Sequence, residues 1–113
     1  MSLRRNTSSD AFQREDAKLA QSVLELEKIH IGEDYFIIDG RNVVFNDHAK
    51  KRFWVKFEEI QTERSMNLRQ MLDLLHMPGK YFEGLRSGNL EFRPIQLVRF
   101  AQALGVPVAY FLE

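Results

Sequence analysis

Residues 64–113 read RSMNLRQMLDLLHMPGKYFEGLRSGNLEFRPIQLVRFAQALGVPVAYFLE, and their punctuation divides them into a chain of short helices. Asn67 is a strong N-cap, and Gln70 stands three residues later, where its side chain can reach back to the cap N–H in a capping box. Leu68, Met71, Leu72 and Leu75 recur at i, i+3, i+4 and i+7, which predicts a helix with one apolar face. His76 and Met77 break it tightly. Pro78 suits the first turn of the next helix, because the N–H it lacks would have no partner there. Within that helix only Phe82 and Leu85 read as inward, leaving Gly79, Lys80, Glu83, Arg86 and Ser87 outward, and Gly88 can end it in the left-handed conformation. Pro94 opens a further helix with Leu97, Val98, Ala101 and Leu104 inward, closed by Gly105. After Val106-Pro107 a last turn returns Val108, Phe111 and Leu112 to the core.

Upstream, Asn46 or Asp47 caps a helix running to about Arg64, with Ala49, Phe53, Phe57 and Ile60 as its stripe and Trp54 beside it. Before it, DYFIIDGRNVVF holds two runs rich in aromatic and β-branched residues around Asp39-Gly40, a pair suited to a type I′ turn. A hairpin with strands over 34–38 and 41–45 is expected, with Tyr35 and Ile37 on one face and Phe36 and Ile38 on the other. Such a ribbon needs a cover, since an isolated hairpin is marginal in water. From Ser9 or Asp10 to about His30, Phe12, Leu19, Val23 and Leu26 mark one helical stripe, and residues 1–10 read as a frayed polar tail.

Two short helices joined by a tight turn, the second polar on its outer side, make a helix-turn-helix unit. The segment over residues 53–112 resembles the prokaryotic and phage regulators that include lambda repressor and Cro. The resemblance rests on Met66-Asn67-Leu68, Met71-Leu72, Leu75-His76-Met77-Pro78, Phe82-Glu83 and Leu85-Arg86-Ser87-Gly88, and above all on LVRFAQALGVPVAYFL at residues 97–112. It implies a five-helix lambda-repressor-like domain over residues 47–113; with the N-terminal helix and β-hairpin read over residues 11–46, a mainly α protein is expected. It also implies that the helix from about Pro78 to Ser87 enters the major groove of double-stranded DNA.

On that helix Lys80 has the chemistry to approach guanine O6/N7 or a phosphate, and Glu83 could accept from a cytosine amino group. Arg86, Ser87, Asn89 and Arg93 are candidate phosphate contacts, and Tyr81 could stack or bond a phosphate. Gly79 and Gly84 complete the expected DNA face. The match is thinner where bases are read. The family's DNA-gripping glutamine is Leu68 here, and the first exposed recognition position falls on Gly79. Against these readings stand plainer ones: a solvated charged face for Lys80, Arg86 and Arg93, surface packing for Tyr81, and service to the turn at Gly88 for Ser87 and Asn89.

A single motif reads a half-site, so a homodimer on a palindromic operator is expected. The chain ends at Glu113, directly after the last core turn, which leaves the residues before 50 to hold the dimer. Phe12, Leu19, Val23, Leu26, Tyr35 and Ile37 are the candidates, with packing on the same chain as the alternative.

Composition bounds the other classes. Sixteen basic and sixteen acidic residues cancel, nine of each before residue 53 and seven of each after, so neither half carries the basic excess that DNA-binding chains commonly use. That neutrality favours a rival reading, a helix-turn-helix scaffold reused for protein contacts as an antitoxin-like, antirepressor or accessory subunit. The chain has no cysteine, which excludes disulfides and thiolate chemistry. His30, His48 and His76 lack ligand spacing, and no phosphate loop or catalytic order is present, so neither metal, cofactor nor enzymatic activity is expected. With no export signal and no apolar window approaching the ~18 residues of a membrane span, the expected location is the cytoplasm. No sequence feature points to a small-molecule effector.

Overall fold

The computed structural model describes residues 17–113, so the expected tail and Phe12 lie outside the described residues. A helix runs through residues 17–30 (α1), followed by strands Phe36–Asp39 (β1) and Asn42–Phe45 (β2). Five helices then follow: Asp47–Glu63 (α2), Leu68–Leu75 (α3), Gly79–Ser87 (α4), Pro94–Leu104 (α5) and Val108–Leu112 (α6). The protein is mainly helical with one small antiparallel sheet.

Local chemistry explains the boundaries. The Asn46 side chain accepts the His48 N–H at 2.8 Å and starts α2. The α2 stripe reads as expected, with Ala49, Phe53, Phe57 and Ile60 all buried. Pro94 opens α5, and Gly105 ends it at φ 69°, a left-handed conformation that a Cβ would disfavour. Leu97, Val98, Ala101 and Leu104 are buried as the spacing requires.

The hairpin differs from expectation in two respects. Its strands pair Phe36 with Phe45 and Asp39 with Asn42, so the two-residue turn is Gly40-Arg41 rather than one centred on Asp39-Gly40. Of that pair only Gly40 has a positive φ, 63°, whereas a type I′ turn needs positive φ at both positions; a glycine at the first position alone is the type II′ pattern. Burial also grades along the ribbon rather than across it. Phe36, Val44 and Phe45 are buried at the base, while Ile37 and Ile38 are exposed at the tip on opposite faces. The cover reaches only the base because that is where α2 and the α4–α5 loop meet it. There the Phe45 N–H donates to the Phe92 carbonyl at 2.5 Å and the Asn46 N–H to the Tyr35 carbonyl at 2.6 Å.

One hydrophobic cluster joins all these elements, running from Leu26 through Phe36, Phe45 and Phe53 to Leu104 and Phe111. Phe53 lies at its centre, with ring centroids 4.6 Å from Phe111, 4.7 Å from Phe92 and 5.1 Å from Phe100. Phe92, in the α4–α5 loop, and Phe100, on α5, are fully buried although neither was in the expected inward set. Phe100 completes the i, i+3, i+4, i+7 spacing of Leu97, Ala101 and Leu104, whereas Phe92 lies outside any helix and has no such spacing.

Tyr35 ties the N-terminal part to the C-terminus. Its hydroxyl donates to the Leu112 carbonyl at 2.5 Å, its ring meets His30 edge-on at 5.1 Å, and the Arg52 guanidinium lies 5.8 Å from the ring centroid. Tyr35→Phe is expected to lower stability by about 1 kcal/mol, the usual worth of one part-buried hydrogen bond. In urea unfolding this reads as a lower midpoint at unchanged slope. An unchanged midpoint would show that the hydroxyl contributes nothing to holding the two ends together.

Candidate functional site

The α3–α4 pair is built by reciprocal capping and a left-handed turn. The Asn67 side chain accepts the Gln70 N–H at 2.8 Å, and the Gln70 side chain accepts the Asn67 N–H at 2.9 Å, the capping box expected from their spacing. α3 stops at His76, whose φ of 52° turns the chain, and the Met77 N–H returns to the Leu72 carbonyl at 3.1 Å. Of the expected apolar face only Met71 is fully buried, while Leu72 and Leu75 are half-buried and Leu68 is 41% exposed at the first turn. Pro78 caps α4 from outside rather than starting it, since its ψ of 143° is extended; Gly79 is the first helical residue.

α4 is anchored by its apolar side. Phe82 and Leu85 are each 1% exposed, and the Phe82 ring packs on Trp54 at 5.4 Å and on Phe57 at 5.5 Å, both from α2. Lys80, Glu83, Arg86 and Ser87 therefore face outward with Gly79, as the spacing predicted. Lys80, Glu83, Gly84, Arg86, Ser87, Asn89 and Leu90 line an open depression of about 730 Å³. Seven of the residues around this face thus come from one helix and the loop that follows it.

Within that group the side chains have different partners. Lys80 and Glu83 make no side-chain hydrogen bond or ion pair with any described residue and stand free in solvent. Tyr81 is 37% exposed, and its hydroxyl accepts from Gln96 Nε2 at 2.7 Å. Gln96 also accepts the Arg93 N–H at 2.9 Å, which fixes the backbone at Arg93 and leaves that residue exposed at the start of α5. Ser87 Oγ makes only long contacts of 3.4 Å, to the Gly84 carbonyl and from the Asn89 N–H, so both residues take part in the turn at Gly88.

Two expected contacts are placed elsewhere. A Cβ on Gly84 would fall 2.6 Å from Leu90 Cδ1 and 2.7 Å from Leu90 Cγ, so the side chain of Leu90 covers this position, and the Leu90 N–H donates to the Gly84 carbonyl at 2.9 Å. Gly84 is a close-packing residue between helix and loop. Arg86 does not reach out freely: its Nη2 donates to Glu58 Oε1 on α2, and its guanidinium carbon lies 5.6 Å from the centroid of Trp54. The spacing placed Arg86 on the outer side of α4 correctly but carried no information that Glu58 and Trp54, one turn apart on α2, would meet it there.

Across α3, α4 and the following loop the exposed charges are mixed, with Arg69, Lys80 and Arg93 set against Asp73, Glu83 and Glu91. On α6, Tyr110 sits beside α2, where burial raises its phenol above the usual value and Glu59 and Glu63 add to the effect. Among the described residues no His, Asp and Glu side chains converge in a group of three as a metal ion requires, and no helix is long and apolar enough to cross a membrane.

Of the residues expected to hold a dimer, Leu26 is buried in the chain's own core, and Leu19, Val23 and Tyr35 are half-buried against it. Ile37 is 45% exposed at the hairpin tip. No protein-family model, no curated protein and no solved structure matches this chain.

Proposed function

We propose that this protein is a sequence-specific DNA-binding transcriptional regulator of the lambda repressor and Cro type, with α2–α6 as its five-helix domain. One observation carries the reading: α4 is pinned by Phe82 and Leu85 while Gly79, Lys80, Glu83 and Ser87 stand exposed along its other side, and α3 precedes it across the three-residue turn of His76, Met77 and Pro78. A short helix held this way can enter a major groove with its N-terminal residues against base edges. Lys80 is the reader, with Glu83 beside it, and Arg93 and Ser87 meet the backbone. A homodimer supplies the second half-site, and residues of the hairpin tip such as Ile37 are open to a second copy.

Binding to a pool of random-sequence or genomic duplexes, followed by fluorescence anisotropy at low salt, tests this. Lys80→Ala should weaken binding to the selected sequence by roughly 10- to 100-fold, the ~1–3 kcal/mol of one base contact. Wild-type protein that fails to associate with DNA, or a Lys80→Ala variant that binds as well, defeats the assignment.

A protein-contact role is favoured by a separate observation. The face is electrically mixed, Arg86 is neutralised by Glu58, and Leu68, Leu74 and Leu90 are each 37–41% exposed around it. Phosphate binding draws on basic excess, whereas a mixed, partly apolar face suits another protein. On this reading the same scaffold serves as an antitoxin-like, antirepressor or accessory subunit.

A further inference from the structure

Arg86 lies on the rim of the α4 depression with Lys80, and it also borders a hollow on the other side with Glu58 and Leu68. Its side chain is 42% exposed and that of Glu58 56% exposed, so their ion pair is bathed in solvent. Such pairs are weak, and one Nη2 contact leaves the other guanidinium N–H groups to solvent. A phosphodiester offers a guanidinium two acceptor oxygens in the matching fork geometry. The carboxylate of Glu58 thus occupies the arginine as a phosphate would, while Trp54 holds the guanidinium plane from the protein side.

We infer that Glu58 is a determinant of DNA affinity: in the free protein it neutralises Arg86, and on DNA a backbone phosphate displaces it from the guanidinium. This rests on the DNA-binding reading above. An arginine already paired with a carboxylate gains little from phosphate, because the freed carboxylate regains its own counterion. Glu58 therefore holds down sequence-independent binding and leaves discrimination to Lys80 and Glu83. Residues outside α4 enter the site in this way, although the spacing of the motif gives no hint of them.

The experiment compares wild type, Glu58→Gln, Arg86→Ala and the double variant in anisotropy titrations of a labelled random-sequence duplex over a range of salt. Glu58 is exposed, so glutamine should fold normally, which far-UV circular dichroism checks. Glu58→Gln should bind roughly threefold or more tightly at low salt, with the log-log salt slope steeper by about 0.9, because no freed carboxylate takes a cation back up to offset the counterion released at the phosphate. Placed on the Arg86→Ala background, the same substitution should change neither affinity nor slope. The emission of Trp54, the one tryptophan of the chain, should shift when DNA is added to wild type and should not shift in Arg86→Ala. Equal binding by wild type and Glu58→Gln overturns the exchange while leaving the DNA-binding reading intact. A gain that persists without Arg86 also overturns it, since the effect would then be general charge. Absence of DNA binding in every variant overturns both together.

Discussion

Phe53→Ala is expected to remove about 3–5 kcal/mol of stability, the usual cost of emptying a fully buried phenylalanine site. Native domains hold only about 5–15 kcal/mol in total, so the loss is a large share of what the chain has. The site is a poor candidate for collapse. The ring lies within 5.1 Å, centroid to centroid, of Trp54, Phe92, Phe100 and Phe111, which come from α2 itself, the α4–α5 loop, α5 and α6. Four aromatic neighbours from separate elements cannot all close on one void without moving those elements. Thermal unfolding followed by circular dichroism should show a midpoint lower by roughly 15–30 °C. Phe53→Leu, which keeps most of the volume, should lose far less. Equal melting of Phe53→Ala and wild type would show that this cluster does not hold the fold together.

Phe92→Ala should come close to it, again at about 3–5 kcal/mol, although the residue lies in a loop. Its ring is fully buried, 4.7 Å from Phe53 and 5.2 Å from Phe45, and its carbonyl accepts the Phe45 N–H. The loop therefore closes the floor of the core and also fastens β2. The consequence is local as well as global. In hydrogen exchange the Phe45 amide should lose protection in Phe92→Ala beyond the fall in overall stability, because its acceptor is carried by the altered loop. If the midpoint drops but Phe45 keeps the protection that global stability dictates, the loop contributes packing without fastening the hairpin.

Both residues show how far one chain of letters reaches. Phe53 announces itself through the spacing of Ala49, Phe57 and Ile60. Phe92 has no periodic neighbour, standing in NLEFRP between two helices, so periodicity is silent on which way it faces. Phe100 was legible from its spacing and differs from Phe92 in just that respect. The same division runs through the candidate site. The outward set of α4 follows from two inward residues, Phe82 and Leu85, because a helix with a known buried side has a known exposed side. Which of the outward groups stay free is a different question. Lys80 and Glu83 do, while Arg86 is taken by Glu58, 28 residues earlier, and Gly84 is covered by Leu90.

The hairpin makes the point for backbone. Asp-Gly marks a turn correctly, but the choice between a turn centred on Asp39-Gly40 and one centred on Gly40-Arg41 is a matter of register, and register here is set by Phe36 and Phe45 finding the same core. Coverage of the ribbon is likewise decided by where α2 and the α4–α5 loop happen to stop.

By itself, then, the sequence determined the order of the elements, the capping of α2 and α3, the opening of α5 at Pro94 and its end at Gly105, and the buried stripes of α2 and α5. These depend on interactions within a few residues, which are written in local spacing. Tertiary structure alone decided the turn register, the burial of Phe92, the clasp from Tyr35 to Leu112, and the seat of Arg86 against Glu58 and Trp54. Each of those joins groups far apart along the chain, and such pairings are selected by packing the whole core at once rather than by any residue's neighbours.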